Sequence, residues 1–137
     1  MLVAGNWKSN KSFNEAKEFA NAFAAMPAAP AGVEVMIAPP APYLAAMGEA
    51  QLPFRLGAQN VSATGPGAFT GEFTAEMLAG SGVQDVIVGH SERRDGFGDD
   101  DKVVAEKVSR VLDAGLRVIF CCGESLQDRQ TDVHFDK

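Results

Sequence analysis

The 137-residue sequence contains only two cysteines, and they are neighbours, Cys121 and Cys122. On a strand, adjacent side chains point to opposite faces, so these two cannot readily form a disulfide with each other. Two adjacent cysteines and two distant histidines also supply no cluster of metal ligands, so we expect no metal site. This cysteine usage is typical of a reducing, cytoplasmic environment.

Long apolar runs and an excess of basic residues are also absent. Because no stretch of about 18 apolar residues occurs, we expect no membrane-spanning helix. The N-terminus leads directly into a strand-like segment instead of a signal peptide. The net charge is -6, and the Lys and Arg residues are scattered. A phosphate backbone would be repelled, so we expect no nucleic-acid partner.

The remaining composition is that of a globular protein. Hydrophobic residues make up 46% and charged residues 22% of the sequence, close to the averages for soluble domains. The length suits one domain of ordinary size, and no linker or low-complexity tract interrupts it. We therefore predict a single domain over residues 1–137.

Apolar, strand-like segments recur at residues 2–7, 33–38, 54–60, 85–89 and 117–122, with helical patterns between them. Strict alternation of strand and helix implies parallel strands that are joined by right-handed crossovers. Such strands need cover on both faces. The periodicity alone leaves two α/β architectures open, a doubly wound open sheet or part of a β/α barrel.

Capping signals predict where several helices begin and end. The segment Ser12-Phe13-Asn14-Glu15 has the form of a capping box, and Pro27 ends the helical pattern that follows it. Short helices are predicted at residues 43–50 and around residues 74–79. The polar segment 124–137 begins a further helix.

A longer helix is predicted before the fifth strand. Asp99, Asp100 and Asp101 suit its N-terminus, where the helix dipole favours negative charge, and Gly115 suits its end. Its predicted buried stripe consists of Val104, Val108, Val111 and Leu112.

The first strand ends in Gly5-Asn6-Trp7-Lys8. Asn6 and Lys8 are two residues apart, so on a strand they share one face while Trp7 points to the other. A lysine and an amide at the C-terminal end of a strand suit binding of a carbonyl or phosphorylated substrate. The alternative is a surface lysine beside a core tryptophan, and the spacing alone favours that alternative.

The fourth strand ends in Gly89-His90-Ser91-Glu92-Arg93-Arg94. β/α folds bind ligands at the C-terminal ends of their strands, so His90 is well placed to be functional. Ser91 and Glu92 suggest that a helix begins at once, and its backbone N–H groups would hold the imidazole neutral. A neutral imidazole can donate a hydrogen bond to a carbonyl oxygen, although a structural histidine fits equally well. We expect Arg93 and Arg94 to form ion pairs.

Two further segments carry weaker signals. Cys121 ends the fifth strand, and a buried cysteine there is expected to pack against its neighbours. The loop at residues 65–72 is rich in glycine but lacks the Lys-Ser/Thr ending of a P-loop. Because Phe69 is an apolar residue in a projecting loop, this loop suits a partner surface better than a phosphate.

Six motifs together cover nearly the whole chain, and the stretch around His90 is the most specific. They are Gly5-Asn6-Trp7-Lys8, Ala38-Pro39-Pro40, Gln59-Asn60, Gly67-Ala68-Phe69-Thr70-Gly71-Glu72, Val88-Gly89-His90-Ser91-Glu92-Arg93-Arg94 and Cys121-Cys122-Gly123-Glu124. Their order and spacing resemble those of the triosephosphate isomerase family.

The resemblance implies a fold and an activity. The fold would be α/β, a partial TIM (β/α)8 barrel of about five parallel strands with intervening helices. The activity would be an isomerase of glycolysis and gluconeogenesis, which interconverts dihydroxyacetone phosphate and glyceraldehyde 3-phosphate. The family needs no metal or organic cofactor. An unrelated phosphate-binding β/α protein would fit the periodicity but not the six motifs.

The resemblance also implies roles for individual residues. Lys8 would offset negative charge on the substrate and the enediolate, and Asn6 would help to position Lys8 and the substrate. His90 would shuttle a proton between the two substrate oxygens. Glu92 would complete the catalytic group, close to both Lys8 and His90. Cys121 would support the site by packing. The family is itself a well-known example of a histidine kept neutral by a helix N-terminus, so that point comes from the family.

A subunit interface is implied as well. Thr70, at the tip of the third loop and flanked by Phe69 and Glu72, would enter a pocket on a second subunit near Asn10 and Glu92. One departure from the family pattern is conservative: Asp99 stands where a glutamate is usual.

The larger departure is that three features of the family cannot be placed on this sequence. The family's catalytic glutamate follows the sixth strand, and its mobile lid and Gly-rich phosphate loops come later still. An open piece of about five strands would leave sheet edges and an apolar interior uncovered. We therefore expect this chain to form a homo-oligomer or to pair with a complementary C-terminal half, and to be very weak or inactive alone. The alternative is a non-catalytic half-barrel module that folds and self-associates.

Overall fold

The computed structural model describes residues 1–124 and 126–131 of the chain. Its five strands are β1 (Leu2–Asn6), β2 (Glu34–Ala38), β3 (Arg55–Ala58), β4 (Asp85–Val88) and β5 (Arg117–Phe120). All neighbouring pairs are parallel, and the strands lie side by side in chain order. A doubly wound sheet would reverse its order at a switch point. The curled sheet is therefore part of a TIM barrel, as the resemblance implied.

The strands alternate with helices. These are α1 (Phe13–Ala24), α2 (Leu44–Gly48), which follows a 3₁₀ turn at Ala41–Tyr43, α3 (Ala75–Gly80), α4 (Ser91–Phe97), α5 (Asp101–Asp113) and α6 (Leu126–Gln130). The predicted strands and helices are confirmed, and most are a few residues shorter than expected. Of the predicted final helix, residues 125 and 132–137 lie outside the described part of the chain.

Local capping explains where the helices begin and end. The capping box of α1 is confirmed: Ser12 N donates to Glu15 Oε2 at 2.7 Å, and Glu15 N donates to Ser12 Oγ at 3.4 Å. Asp100 caps α5 by accepting a hydrogen bond from Val103 N at 2.8 Å. Gly115 follows α5 with a φ of +73°, a left-handed conformation that glycine adopts without strain.

The core lies on both faces of the sheet. Residues such as Ile37, Leu56 and Val86 pack under the helices in the larger cluster. The other face carries a smaller cluster of Met36, Ala38 and Ile87 with Leu2, Ile119 and Cys121 around it.

One predicted core position on α5 is wrong. Val104 and Val111 are buried and Val108 is partly buried, but the side chain of Leu112 is 58% exposed. Its place in the buried stripe is taken by Lys107, which is only 4% exposed. A lysine can occupy that position because polar partners surround its ammonium group, as described below.

Within residues 1–124 and 126–131, no strand pairs with the outer edge of β1 or of β5. The outermost strands are β1 and β5, and Val3 and Phe120 on them are about half exposed, at 49% and 53%.

Among the described residues, none of the helices combines the length and the apolar character that crossing a bilayer requires.

Candidate functional site

The candidate site forms where the C-terminal ends of the strands meet. Because the strands are parallel, Lys8 after β1 and His90 after β4 reach the same rim of the sheet. Glu92 connects these two positions. Its Oε1 accepts a hydrogen bond from Lys8 Nζ at 2.6 Å, and its backbone N donates to His90 Nδ1 at 3.2 Å. The structure therefore brings together the lysine, the histidine and the glutamate that the sequence singled out.

Lys8 does not lie on the strand. β1 ends at Asn6, whose Oδ1 accepts a hydrogen bond from Lys8 N at 2.9 Å and so turns the backbone out of the sheet. Lys8 has a φ of +53°, a left-handed conformation that is unfavourable for a residue with a side chain. The prediction that Asn6 and Lys8 share one strand face is therefore wrong. Trp7 is partly buried against the larger core cluster, where it makes an edge-on contact with Phe19, at 5.1 Å between ring centres.

His90 caps α4, so the prediction that a helix begins directly after it is confirmed. Its Nδ1 accepts a hydrogen bond from Glu92 N at 3.2 Å. A ring nitrogen that accepts a hydrogen bond carries no proton, so the proton of the neutral ring is on Nε2. The backbone at the start of α4 thus selects the tautomer in which Nε2–H is the donor.

Glu92 is a charged partner at the rim, and its side chain is about half exposed. The hydrogen bond from Lys8 lowers the pKa of Glu92, and the Lys8 charge adds to this effect while partial burial opposes it. Glu92 therefore stays ionised at neutral pH and can hold the Lys8 ammonium group in place.

Gln59 connects a third strand to the site. Its Nε2 donates to the carbonyl oxygen of Lys8 at 2.9 Å and to that of Ala38 at 2.8 Å. Sequence reasoning included Gln59 in a motif but assigned it no role. The available signal was an amide side chain directly after a buried strand, since such a residue lies at the ligand-binding rim.

The two arginines of the motif form ion pairs, as predicted. Arg93 Nε donates to Asp99 Oδ2 at 3.0 Å. Arg94 Nη1 donates to Asp101 Oδ1 at 2.7 Å, and its Nε donates to the carbonyl oxygen of Gly89 at 2.9 Å. Both guanidinium groups therefore hold α4 in place.

An open cleft of about 850 Å³ lies beside His90, toward β5. Cys121 is one of its lining residues, and burial raises the pKa of this thiol, so it remains protonated at neutral pH and suits packing. Besides His90, the lining includes Gly89, Ser91, Arg94, Phe120, Cys121, Cys122 and Glu124.

The residues that the resemblance assigns to a subunit interface lie in two segments. Asn10 Nδ2 donates to the carbonyl oxygen of Trp7 at 2.8 Å, so Asn10 belongs to the same turn as Lys8. Phe69, Thr70 and Glu72 are exposed in the loop between β3 and α3. Their contact with a second subunit remains a prediction.

Across residues 1–124 and 126–131, no three His, Cys, Asp or Glu side chains are grouped so that they could hold a metal ion.

Comparisons with known proteins identify the family. A family model described as triosephosphate isomerase matches residues 1–136. A triosephosphate isomerase of Symbiobacterium thermophilum is 46% identical over 131 residues, which cover 94% of this chain and 51% of that protein. One of Thiobacillus denitrificans is 48% identical over 134 residues, with 96% and 53% covered. The chain thus spans about half the length of the curated relatives it matches.

Proposed function

The chain belongs to the triosephosphate isomerase family, and from this we propose that it supplies the electrophilic half of a glycolytic isomerase. The reaction is the interconversion of dihydroxyacetone phosphate and glyceraldehyde 3-phosphate. The observation that carries the proposal is the position of Lys8 and His90 on one rim, with Glu92 between them.

Each residue has a role that follows from its contacts. The Lys8 ammonium group opposes the negative charge of the substrate and of the enediolate. Asn6 holds the Lys8 backbone in its left-handed turn, and Glu92 orients the Lys8 side chain. His90 donates from Nε2 to one substrate oxygen and then passes a proton between the two oxygens.

The remaining step, removal of a proton from carbon, needs a base. In the family this base is a glutamate that follows the sixth strand, whereas the strands described here number five. We propose that the later strands of the barrel, as in a complementary C-terminal half, supply the base and lie beside the outermost strands β1 and β5. The cysteines Cys121 and Cys122 are both unpaired, which supports a cytoplasmic location for the complex.

Complementation tests this proposal. The partner would be the C-terminal part of the Symbiobacterium thermophilum relative, beyond the segment that this chain matches. A general base contributes about 10²–10⁴ in rate, so this chain alone should be very weak or inactive and the mixture should isomerise triose phosphates. A Lys8→Met chain that still forms the complex should lose this recovered rate. Full turnover by this chain alone would refute the proposal.

A second candidate function is a non-catalytic half-barrel module that self-associates. The half-exposed apolar residues Val3 and Phe120 on the outermost strands favour association of some kind. The same mixture distinguishes the two candidates, since complex formation without any isomerisation would support the module.

A further inference from the structure

Lys107 is a buried lysine on the far side of α5 from solvent. It is 4% exposed, and its Nζ donates to Asp99 Oδ2 at 2.6 Å and to Asn60 Oδ1 at 2.8 Å. A buried ammonium group is costly unless it is paired and hydrogen-bonded, and both conditions are met here. Lys107 therefore joins α5 to the start of the loop after β3 and to the segment between α4 and α5.

Asp99 extends these contacts to α4. Its side chain is buried, and it accepts hydrogen bonds from Arg93 Nε at 3.0 Å and Arg93 Nη2 at 3.4 Å. Its backbone N donates to the Arg93 carbonyl oxygen at 3.2 Å. Burial raises the pKa of Asp99, but the hydrogen bonds from Lys107 and Arg93 outweigh it and lower the pKa overall. Asp99 is thus a charged bridge between Lys107 and Arg93.

The two outer residues of this network, Asn60 and Arg93, are each next in sequence to a residue that contacts Lys8. Asn60 follows Gln59, which donates to the Lys8 carbonyl oxygen. Arg93 follows Glu92, which accepts from Lys8 Nζ. Hydrogen bonds and two peptide links therefore close a ring, which we call the polar ring and which runs through Lys8, Gln59, Asn60, Lys107, Asp99, Arg93 and Glu92.

We propose that Lys107 is a positioning residue, which holds the Lys8–Glu92 pair in place through the two arms of the polar ring. One arm runs through Asn60 and Gln59, and the other through Asp99, Arg93 and Glu92. It keeps the loop after β3 and the start of α4 at a fixed separation. Both segments contact Lys8, one at its backbone and the other at its side chain. The catalytic meaning of that pair rests on the proposed function, whereas the coupling itself is a property of the fold.

Stability alone does not account for a lysine at this position. A well-packed apolar residue in place of a buried ion pair often leaves stability unchanged or increases it. The neighbouring inward positions Val104 and Val111 are apolar, as expected for a helix that packs on a sheet. Unlike an apolar residue, the lysine donates directed hydrogen bonds to Asp99 on one side and to Asn60 on the other.

The test is the titration of Glu92 in the full 137-residue chain, followed by carbon-13 NMR of its carboxyl group. A Glu92→Gln chain assigns the signal. In a Lys107→Met chain, the Lys8–Glu92 hydrogen bond should be partly lost, so the midpoint of Glu92 should rise toward that of a free glutamate. The matched control is Val111→Ala, which perturbs the same helix at a fully buried position without touching the polar ring. Its Glu92 midpoint should stay at the parent value.

A second variant keeps the test decisive if Lys107→Met does not fold. Asn60→Ala removes one arm of the polar ring and leaves the Lys107–Asp99 ion pair intact, so it should raise the Glu92 midpoint by a smaller amount. An unchanged midpoint in the folded ring variants, or an equal rise in Val111→Ala, would overturn the proposal. Because the readout is not activity, a missing recovery of isomerisation would count only against the proposed function.

Discussion

At the scale of single residues, the start of each strand from β2 to β5 carries a charged side chain. Asp85 is fully buried and accepts hydrogen bonds from Arg55 Nε at 2.8 Å, Arg55 Nη2 at 3.1 Å and Arg117 Nε at 2.5 Å. Arg117 Nη1 also donates to Glu34 Oε2 at 2.6 Å. Opposite charges thus pair across the strands at the end of the sheet that lies away from the candidate site.

Asp85→Asn should lower stability and weaken its dependence on pH. Burial raises the pKa of Asp85, but the hydrogen bonds from Arg55 and Arg117 outweigh it and lower the pKa in the folded state. A lowered folded pKa gives stability above the unfolded pKa of about 4, and this stability is lost as the pH falls through the folded pKa. We expect a loss of about 2–3 kcal/mol at pH 7, since both arginines remain partly exposed.

Urea unfolding at pH 7 and at acidic pH measures both effects. The control is Asp95→Asn, because Asp95 is exposed on α4. The Asp85→Asn chain should lose less stability on acidification than the parent or the control. Parallel pH profiles for all three chains would contradict the role assigned to Asp85.

The sequence predicts Lys8, His90 and Glu92 as site residues because each follows a recognisable strand in a specific motif, and the structure places them on one rim. The burial of Lys107 was not predicted, because a lysine in a helical sequence is expected at the surface unless its partners are known. Asp99 lies eight positions before Lys107 and Asn60 lies 47 positions before it, so only the folded chain brings the three together.

At the scale of elements, the end of α2 contacts the end of α3 backbone to backbone. A Cβ atom on Gly48 would lie 1.9 Å from the carbonyl oxygen of Ser81. Gly82 has a φ of +76°, and a Cβ atom there would lie 3.0 Å from Gly48 Cα. Only glycine at both positions allows this close approach.

Gly48→Ala should therefore be strongly destabilising, by about 2–4 kcal/mol, because the methyl group meets backbone atoms that cannot rotate away. Gly80→Ala is the matched control, since a Cβ atom at the end of α3 meets nothing within 4 Å. It should change stability by about 1 kcal/mol or less. Denaturant unfolding of both chains checks this, and equal losses would show that the α2–α3 contact is not tight.

Helix starts were predictable from sequence, whereas strand ends were not. The capping box at Ser12 and Glu15 is formed by residues three apart, so its pattern is visible locally. Apolar character continues through Cys121 and Cys122 beyond the end of β5 at Phe120. Hydrophobicity therefore overestimates the strand, because it reflects the polarity of side chains and not the backbone hydrogen bonds that define a strand.

At the scale of the whole molecule, the outer edges of β1 and β5, which pair with no other described strand, predict that the 137-residue polypeptide associates when it is alone. We expect sedimentation equilibrium of the chain alone to give a mass above the 14.5 kDa of one copy. Val3→Lys should shift the mass toward that of one copy, because a charge on an outermost strand disfavours pairing with another chain. A parent chain that stays at the mass of one copy and binds no complementary half would contradict this prediction.

The parallel five-stranded architecture was predictable, since strand and helix alternate strictly along the chain. The choice between an open doubly wound sheet and a barrel was not, because both have the same periodicity. The six motifs indicated the barrel by resemblance, and the strand order from β1 to β5 confirms it.

We propose that His90 moves a proton between substrate oxygens on the rim that also carries Lys8. The decisive measurement is the isomerisation rate of the complemented mixture made with a His90→Gln chain, at equal complex concentration. Glutamine keeps a hydrogen-bond donor but cannot shuttle a proton, so we expect the rate to fall by about 10²-fold or more. A rate equal to that of the parent mixture would show that His90 does not transfer the proton.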